Sequence, residues 1–246
     1  MSRFRSADTA KLQTWMKSPG ALVTDADLAS DEAITSVLRG ALPGIGVLSE
    51  ESSTAGADGA TSWLVDPLCG TVPFSTGMVH WGVNIALRVS GRLEVAALSL
   101  PALKEQLSAV RGKGVSRNGL RWSPPPMEGR LEDLAVGLEI DGGDTWRRLM
   151  AHGLEWVPRA GQVNTFASAA YPMAQLSQGR LAAGVFYGIE PVHLAAGAMI
   201  ATELGLAVTD GAGAPLDWSQ DEEFPVVVAG WPDVHRQLIA AMNADG

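Results

Sequence analysis

The sequence has a single cysteine, Cys69, in 246 residues, and it has no run of about 20 apolar residues. One cysteine excludes an internal disulfide framework and a structural zinc site built from cysteines alone. The lack of a long apolar run excludes a membrane-spanning helix, and the first residues lack the apolar stretch of a signal peptide. We therefore expect a cytoplasmic protein that does not bind membranes.

Basic residues are also scarce. The chain holds 18 Lys and Arg against 27 Asp and Glu, which gives a formal charge of -9 and a pI near 4.9. General nucleic-acid binding needs a basic surface, so this balance argues against a nucleic-acid partner. A small phosphorylated substrate remains open, because local backbone geometry can hold a phosphate whatever the net charge is.

A stiff segment, Ser123-Pro124-Pro125-Pro126, divides the chain into an N-terminal half, residues 1–122, and a C-terminal half, residues 127–246. With 46% hydrophobic residues, the two halves can share a core, and we expect one compact unit. Between Asp27 and Leu42, apolar residues recur at helical spacing, and Thr24 and Asp25 precede them as capping candidates. This pattern predicts an amphipathic helix whose apolar stripe is Leu28, Ile34, Val37, Leu38 and Leu42.

Short apolar runs that end at acidic residues predict buried strands at 45–48 and 63–65. Strict alternation over 81–89 predicts a strand with one buried face, and Asn118-Gly119 predicts a hairpin. Together the patterns favour an α/β fold in which helices cover the sheets. The C-terminal half is predicted to contain strands at 134–140, 182–187, 206–209 and 226–229, and helices at 168–178, 192–204 and 233–243.

Three segments carry the chemistry, namely Ser49-Glu50-Glu51-Ser52, the loop Asp66-Pro67-Leu68-Cys69-Gly70-Thr71, and the helix start Glu190-Pro191-Val192-His193-Leu194-Ala195-Ala196-Gly197. In this order they resemble the Glu-Glu pair, the Asp-Pro-x-Asp-Gly-Thr loop and the Trp-Asp-x-Ala-Ala-Gly motif of the inositol monophosphatase-like superfamily. The resemblance implies an α-β-α-β-α sandwich that is commonly a homodimer. It also implies a hydrolase that uses magnesium to cleave a phosphomonoester of an inositol, a sugar or a nucleotide.

Carried over residue by residue, the resemblance implies a first Mg²⁺ site made by Glu50, Asp66 and the Leu68 carbonyl, with Glu51 as a further candidate. Thr71 would orient the attacking water and Asp27 would support it. The remaining candidates would contact the substrate: the backbone amides of Gly70 and Thr71 would bind its phosphate, and Ser168, Ala169 and Phe186 would lie against the rest of it. Phe186 stands where many relatives carry a glutamate that binds a substrate hydroxyl, which argues against a polyol.

The resemblance breaks at the second metal, because Cys69 and His193 occupy the positions of two aspartate ligands. Magnesium prefers oxygen ligands, so ordinary two-magnesium hydrolysis is in doubt. One alternative is Zn²⁺ bound by Asp66, Cys69 and His193. Another is a metal-free Cys69–His193 dyad for group transfer or cyclisation, in which the helix N-terminus lowers the pKa of the thiol. A third is a non-catalytic family member.

Other residues have simpler interpretations. Lys17 stands with Asp27 as a further candidate for the site, while Phe74 and His80 are candidates for the pocket wall. Trp81 lies on the alternating strand, where core packing is the first expectation. Several polar residues are interpreted as surface positions: His152, His235, Arg147, Arg148 and the acidic stretch 141–144.

Overall fold

The computed structural model describes residues 12–18, 21–54, 61–140 and 153–244. Its first sheet has seven strands in sequence order, and its second has five in the order β11-β10-β12-β14-β13. A two-stranded hairpin, β1 (Thr14–Ser18) with β2 (Ala21–Thr24), precedes them. The first sheet consists of β3 (Gly46–Ser49), β4 (Ser62–Cys69), β5 (Gly82–Val89), β6 (Arg92–Leu100), β7 (Glu105–Val110), β8 (Gly114–Arg117) and β9 (Leu120–Trp122). The second consists of β10 (Ala135–Ile140), β11 (Gln162–Asn164), β12 (Ala183–Ile189), β13 (Ala207–Asp210) and β14 (Phe224–Gly230).

Five α-helices complete the layers within the described residues. They are α1 (Asp25–Ala41), α2 (Thr71–Ser75), α3 (Ala170–Ser177), α4 (Pro191–Glu203) and α5 (Pro232–Met242). Helix α1 packs on β3 and β4, whereas α4 contacts β4, β5 and β6 of the first sheet and also β13 and β14 of the second. The chain therefore folds as an α/β layered structure in which α4 lies between the two sheets. None of the described helices has both the length and the apolar character needed to cross a bilayer.

Strand β5 departs from the prediction of a single buried face. Ile85 and Leu87 pack with Leu38 of α1, as the alternation predicts. However, Asn84, Ala86 and Arg88 on the other face are also buried, because the layer that contains α4 covers that side. The alternation along β5 therefore reflects different side-chain types on two faces that are both covered. Because the sheet is enclosed on both sides, polar groups such as Asn84 lie in the interior.

Helix α1 was predicted at nearly its observed bounds, and Thr24 is its N-cap. The predicted apolar stripe is wrong in part, because Leu28, Val37 and Leu42 are exposed. The buried face instead includes three polar residues, Asp27, Asp31 and Thr35, together with Ala26 and Leu38. Two carboxylates of this helix therefore face the interior, where Asp31 meets Ser49 of β3 and Asp27 meets Thr71 of α2.

The predicted strands and helices of the C-terminal half are confirmed, and their observed ends lie within two residues of the predicted ends. The boundary segment 123–126 separates the two sheets along the chain, since β3 to β9 precede it and β10 to β14 follow it. The largest apolar cluster includes Leu64 and Leu98 of the first sheet as well as Val185 and Val228 of the second. Both halves therefore contribute to one shared core.

Candidate functional site

The Glu50-Glu51 turn is fixed beside the end of β4. The backbone N–H of Glu50 donates to the carbonyl of Val65 at 3.0 Å. The hydroxyls of Ser49 and Ser52 donate to the buried carboxylate of Asp31 at 2.6 and 2.7 Å. This pair of hydrogen bonds ties the turn to α1, so that both acidic side chains have a defined place next to Asp66.

Asp66 lies in the C-terminal half of strand β4, and 0% of its surface is exposed. Its Oδ1 accepts a hydrogen bond from the N–H of Leu68 at 3.1 Å. Its Oδ2 lies 2.6 Å from Nδ1 of His193, which is in the first turn of α4. Two motifs that are 127 residues apart in sequence therefore meet at one carboxylate.

Asn84 holds the backbone of His193 in place. The Asn84 Nδ2 donates to the His193 carbonyl at 2.9 Å, and Asn84 lies opposite Asp66 in the pairing of β4 with β5. Asn84 is 1% exposed, so this hydrogen bond is shielded from water. It fixes the start of α4 against the first sheet and thereby sets the position of the imidazole.

Gly70 is required by its conformation, because its φ is +103°, in the left-handed region that favours glycine. A Cβ at this position would lie 2.9 Å from the carbonyl oxygen of His80 and 2.9 Å from the Cβ of Ser168. These contacts show how closely the loop from β4 to α2 approaches two neighbouring segments. No side chain fits here without movement of the backbone.

Thr71 and Asp27 are joined by a hydrogen bond of 2.9 Å from the Thr71 hydroxyl to Asp27 Oδ1. Asp27 Oδ2 also accepts from the backbone N–H of Thr24 at 2.9 Å, which completes a capping box. Burial raises the pKa of Asp27, and its hydrogen bonds with Thr24 and Thr71 oppose that rise. Asp27 therefore acts both as a helix-capping residue and as a partner of Thr71, so the two interpretations of this residue do not compete.

The environment of Cys69 opposes the reactive thiolate that the alternative of a Cys69–His193 dyad requires. Its Sγ accepts from the N–H of Ala170 at 3.2 Å, and the residue is 4% exposed. Burial, and next the charge of Asp66, raise the pKa of the thiol well above its usual range. The predicted lowering of this pKa is wrong, because α2 is a five-residue helix and burial outweighs its field.

Lys17 supplies a positive charge to the acidic residues. Its ammonium forms an ion pair with Glu51 and lies 3.4 Å from Oε1 of Glu50. Burial lowers the pKa of Lys17, but the hydrogen bond and charges of these two carboxylates raise it by more. Burial and the nearby charge of Asp66 raise the pKa of Glu50 to about 8, although His193 and Lys17 act in the opposite direction. The site thus holds more acid groups than its own cations neutralise.

Comparison with known proteins decides the ancestry of this arrangement. A family model described as the inositol monophosphatase family matches residues 1–245. The chain belongs to the inositol monophosphatase family. Among curated proteins, it is 33% identical to the Nus factor SuhB of Pasteurella multocida over 209 residues, which cover 81% of the chain and 75% of that protein. It is 30% identical to the Nus factor SuhB of Vibrio cholerae over 240 residues, which cover 96% of the chain and 88% of that protein.

Solved structures show the same fold. The SuhB protein of Bartonella henselae superimposes with a TM-score of 0.85 at 26% identity, covering 98% of this chain and 92% of that one. An IMPase/NADP phosphatase solved with Mg²⁺ and phosphate gives a TM-score of 0.79 at 20% identity, covering 96% and 88%. At that identity the second likeness shows the fold alone. The layered sandwich expected from the family resemblance is therefore confirmed.

Within this member of the inositol monophosphatase family, one group of three ligand types could hold a metal. Ligand atoms of Asp66, Cys69 and His193 all lie within 4.8 Å of one another. The family resemblance predicts a second set of ligands that contains oxygen only, the carboxylates of Glu50 and Asp66 with the Leu68 carbonyl, and the charge of Asp66 acts on Glu50 in the structure. The oxygen group suits Mg²⁺, whereas the mixed group suits a softer ion. Cys69 and His193 are therefore poor ligands for the second magnesium ion that the family resemblance implies.

The remaining predicted residues separate into two groups. Ser168 and Ala169 lie at Cys69, since the Ser168 hydroxyl donates to the Cys69 carbonyl at 2.9 Å. Phe186 is 1% exposed in the shared core, so its environment does not support a contact with substrate. Trp81 is a core residue, as predicted, and packs edge-on against the buried ring of Phe74 at 5.0 Å.

The interpretation of His235 as a surface residue is wrong, because it is 7% exposed and lies 2.9 Å from the hydroxyl of Thr209. Some predicted surface positions lie outside the described residues: His152, Arg147, Arg148 and the stretch 141–144. Sequence reasoning missed Asn84, Glu139, Phe166 and Tyr171, whose contacts all cross between distant segments. For Asn84, the polar residue in an alternating strand was the only available signal.

Proposed function

We propose that this chain is an enzyme that hydrolyses a phosphomonoester of a small metabolite with one divalent cation instead of two. Glu50, Asp66 and the Leu68 carbonyl would hold that cation, and the His193 imidazole would take the place of the second. The observation that carries the proposal is the contact of 2.6 Å between His193 Nδ1 and Asp66 Oδ2. A side chain that becomes cationic when protonated lies on the carboxylate that, in the family resemblance, bridges two metals.

The electrostatics of the acidic residues support one bound cation. The pKa of Glu50 is raised to about 8, first by burial and then by Asp66. A divalent ion would relieve this repulsion and favour the ionised carboxylate. Lys17 already places one protein cation next to the same acids, and His193 adds a second whenever its imidazole is protonated. The charge that remains suits one further cation better than two.

The residues around the oxygen group have complementary tasks. Thr71 donates its hydroxyl proton to Asp27, so the lone pairs of the Thr71 oxygen can accept a hydrogen bond from a water and orient it. The N–H groups of Gly70 and Thr71 would donate to phosphate oxygens. A bound magnesium ion supplies charge neutralisation and a lowered pKa of water. Asp66 and Asp27 are both 0% exposed, so water screens the attraction of these carboxylates for a cation less than it would at the surface.

A zinc-dependent hydrolase is the second candidate, and the proximity of Asp66, Cys69 and His193 favours it. Tetrahedral zinc with bonds of about 2.0–2.3 Å keeps its ligands about 3.3–3.8 Å apart. The carboxylate and the imidazole, now 2.6 Å apart, would have to separate by about 1 Å. Zinc would also deprotonate the thiol, which the metal-free environment keeps protonated.

Cation binding followed by calorimetry tests these candidates. We expect one magnesium ion per chain and magnesium-dependent release of phosphate from at least one compound in a panel of small phosphomonoesters. Asp66→Asn should abolish both, whereas the exposed control Asp217→Asn should change neither. Tight zinc that is lost in Cys69→Ser would favour the second candidate. Two magnesium ions per chain would contradict the role of His193, and absence of both cation binding and phosphate release would favour a non-catalytic member.

Two relatives are named Nus factors, and these names suggest what a non-catalytic member of the family could do. A protein that keeps the fold without chemistry would bind a partner instead of turning over a substrate. A homodimer and a cytoplasmic location belong to the same proposal, and analytical ultracentrifugation tests the first of them. A monomer at micromolar concentration would contradict the dimer while leaving the catalytic proposal intact.

A further inference from the structure

Three aromatic side chains meet beside Gly70. The ring of His80 lies 5.4 Å from that of Phe166 and 4.7 Å from that of Tyr171, measured between centroids, and Phe166 lies 4.9 Å from Tyr171. All three residues are partly exposed, unlike the neighbouring rings of Phe74 and Trp81. The rings are tilted or edge-on to one another, with interplanar angles of 74°, 59° and 48°, and we call this group the ring platform.

The ring platform is connected to the candidate site through the backbone. The carbonyl of His80 packs against Gly70, where an added Cβ would approach it to 2.9 Å. The Ser168 hydroxyl joins the loop that carries Phe166 to the Cys69 carbonyl at 2.9 Å, and it accepts from the N–H of Tyr171 at 3.3 Å. The platform therefore borders the same loop whose amides, in the proposed function, bind a phosphate.

A strained loop holds the ring of Phe166 in position. Ala167 has a φ of +53°, which is uncommon for a residue with a side chain. The buried carboxylate of Glu139 accepts from the N–H of Phe166 at 2.7 Å and from that of Ser168 at 3.2 Å. Burial raises the pKa of Glu139 to about 8 despite these hydrogen bonds. A strained residue and a buried acid both oppose folding, and such costs concentrate at functional sites.

We propose that His80, Phe166 and Tyr171 bind a planar aromatic ring of the substrate, so that the phosphomonoester is a nucleotide or a compound of similar shape. This inference rests on the proposed function for the position of the phosphate. Planar bases stack on aromatic side chains with little dependence on their identity, since every base has a π-face. A partly exposed aromatic group one loop away from the proposed phosphate position can offer a ring face to such a base.

Calorimetric binding of three probes separates the contributions of ring and phosphate. The probes are adenosine, the phosphonate analogue of adenosine monophosphate and the phosphonate analogue of ribose 5-phosphate, none of which can be hydrolysed as a phosphate ester. We expect the adenine-containing phosphonate to bind more tightly than the ribose phosphonate. Phe166→Leu, which keeps the backbone N–H to Glu139, should weaken the adenine phosphonate by about 5- to 150-fold and leave the ribose phosphonate unchanged.

Tyr171→Leu serves as a second variant, and Trp218→Leu is the matched control. Trp218 is also partly exposed and packs on a neighbouring ring, Phe224, at 5.2 Å, but it lies near the far end of β5, at Arg88. Circular dichroism melting checks that each variant folds. The control should bind all three probes as the original protein does.

Each outcome has a distinct consequence. Equal affinity for the two phosphonates, or no effect of either platform variant, would overturn the ring platform and leave the proposed function standing. A different result would support the platform and contradict the phosphate site: adenosine binds in a way that depends on Phe166, and neither phosphonate binds more tightly than adenosine does. Failure of all three probes to bind would overturn both.

Discussion

Replacement of His193 by alanine tests the central contact of the site. The change removes the imidazole from Asp66 Oδ2 and leaves the carboxylate with the N–H of Leu68 and the thiol of Cys69 as hydrogen-bond partners. Asp66 is 0% exposed, so water cannot readily replace the lost partner. The His193 side chain is 13% exposed, and its loss also opens a small space beside Asn84.

The size of the effect follows from this burial. Removal of the partner of a buried charge, here the carboxylate of Asp66, costs about 3–5 kcal/mol, because that charge stays behind without compensation. Since one N–H of Leu68 remains, we expect a loss near the lower limit, about 3 kcal/mol. For a chain of this size, that loss lowers the melting temperature by about 6–12 °C.

Urea denaturation in the presence of a chelator measures the change in unfolding free energy. His235→Ala is the matched control, because His235 is similarly buried but pairs with the neutral hydroxyl of Thr209. Burial lowers the pKa of His235, so its contribution near neutral pH is that of an uncharged hydrogen bond, about 1 kcal/mol, plus packing. If His193→Ala costs no more than His235→Ala, the pairing of Asp66 with His193 does not carry the stabilisation argued here.

Magnesium adds a second measurement to the same variant. Without the imidazole, Asp66 Oδ2 becomes available to a cation, and magnesium should restore part of the lost stability by binding only the folded state. The same magnesium concentration should stabilise the unmodified protein less, because it offers the cation only its one proposed site. Equal gains in both proteins would show that His193 does not occupy a position that a cation can use.

Three further predictions concern neighbouring residues. Burial raises the pKa of Glu139, so the folded state binds this proton more tightly than the unfolded state does. The unfolding free energy relative to Glu139→Gln should therefore fall as the pH rises from about 4.5 to about 8. Urea titrations should show a slope of at most about 1.4 kcal/mol per pH unit. A flat difference would contradict the raised pKa. Gly70→Ala should lower the unfolding free energy by about 2 kcal/mol or more, because of its φ and the contacts of 2.9 Å, and an unchanged urea midpoint would refute this. Iodoacetamide at pH 7 should label Cys69 at least about 100-fold more slowly in the folded than in the unfolded protein, and fast labelling would restore the dyad hypothesis.

The sequence was sufficient to predict most secondary structure, because periodicity and turn chemistry are local. The Asn118-Gly119 hairpin formed as predicted, with both residues at positive φ. Helix α4 was predicted from its apolar content at nearly its observed bounds. The short strand β11 was missed, since three residues carry too little pattern to predict a strand.

The site was predicted through the order of its motifs, but its chemistry was not. The meeting of Asp66 with His193 agrees with the family resemblance, whereas the roles proposed for both residues stay predictions. The pKa of Cys69 depends on its burial beside the first residue of α3, which lies 101 residues away in the sequence. The contacts of Asn84 and Glu139 likewise join segments that no local pattern connects. Charge and burial at a site are properties of the assembled fold.

The candidate site is a junction between the two halves of the chain. Asp66 and Cys69 belong to the first sheet, whereas their partners His193 and Ser168 come from the layer that joins the second, 127 and 99 residues away. The proposed cation and phosphate positions are therefore complete only when the two sheets are docked through α4. Substitutions deep in this seam, far from any ligand, should reduce binding before they reduce helix or strand content. Ligand affinity in this protein is thus a measure of how tightly its two halves are held together.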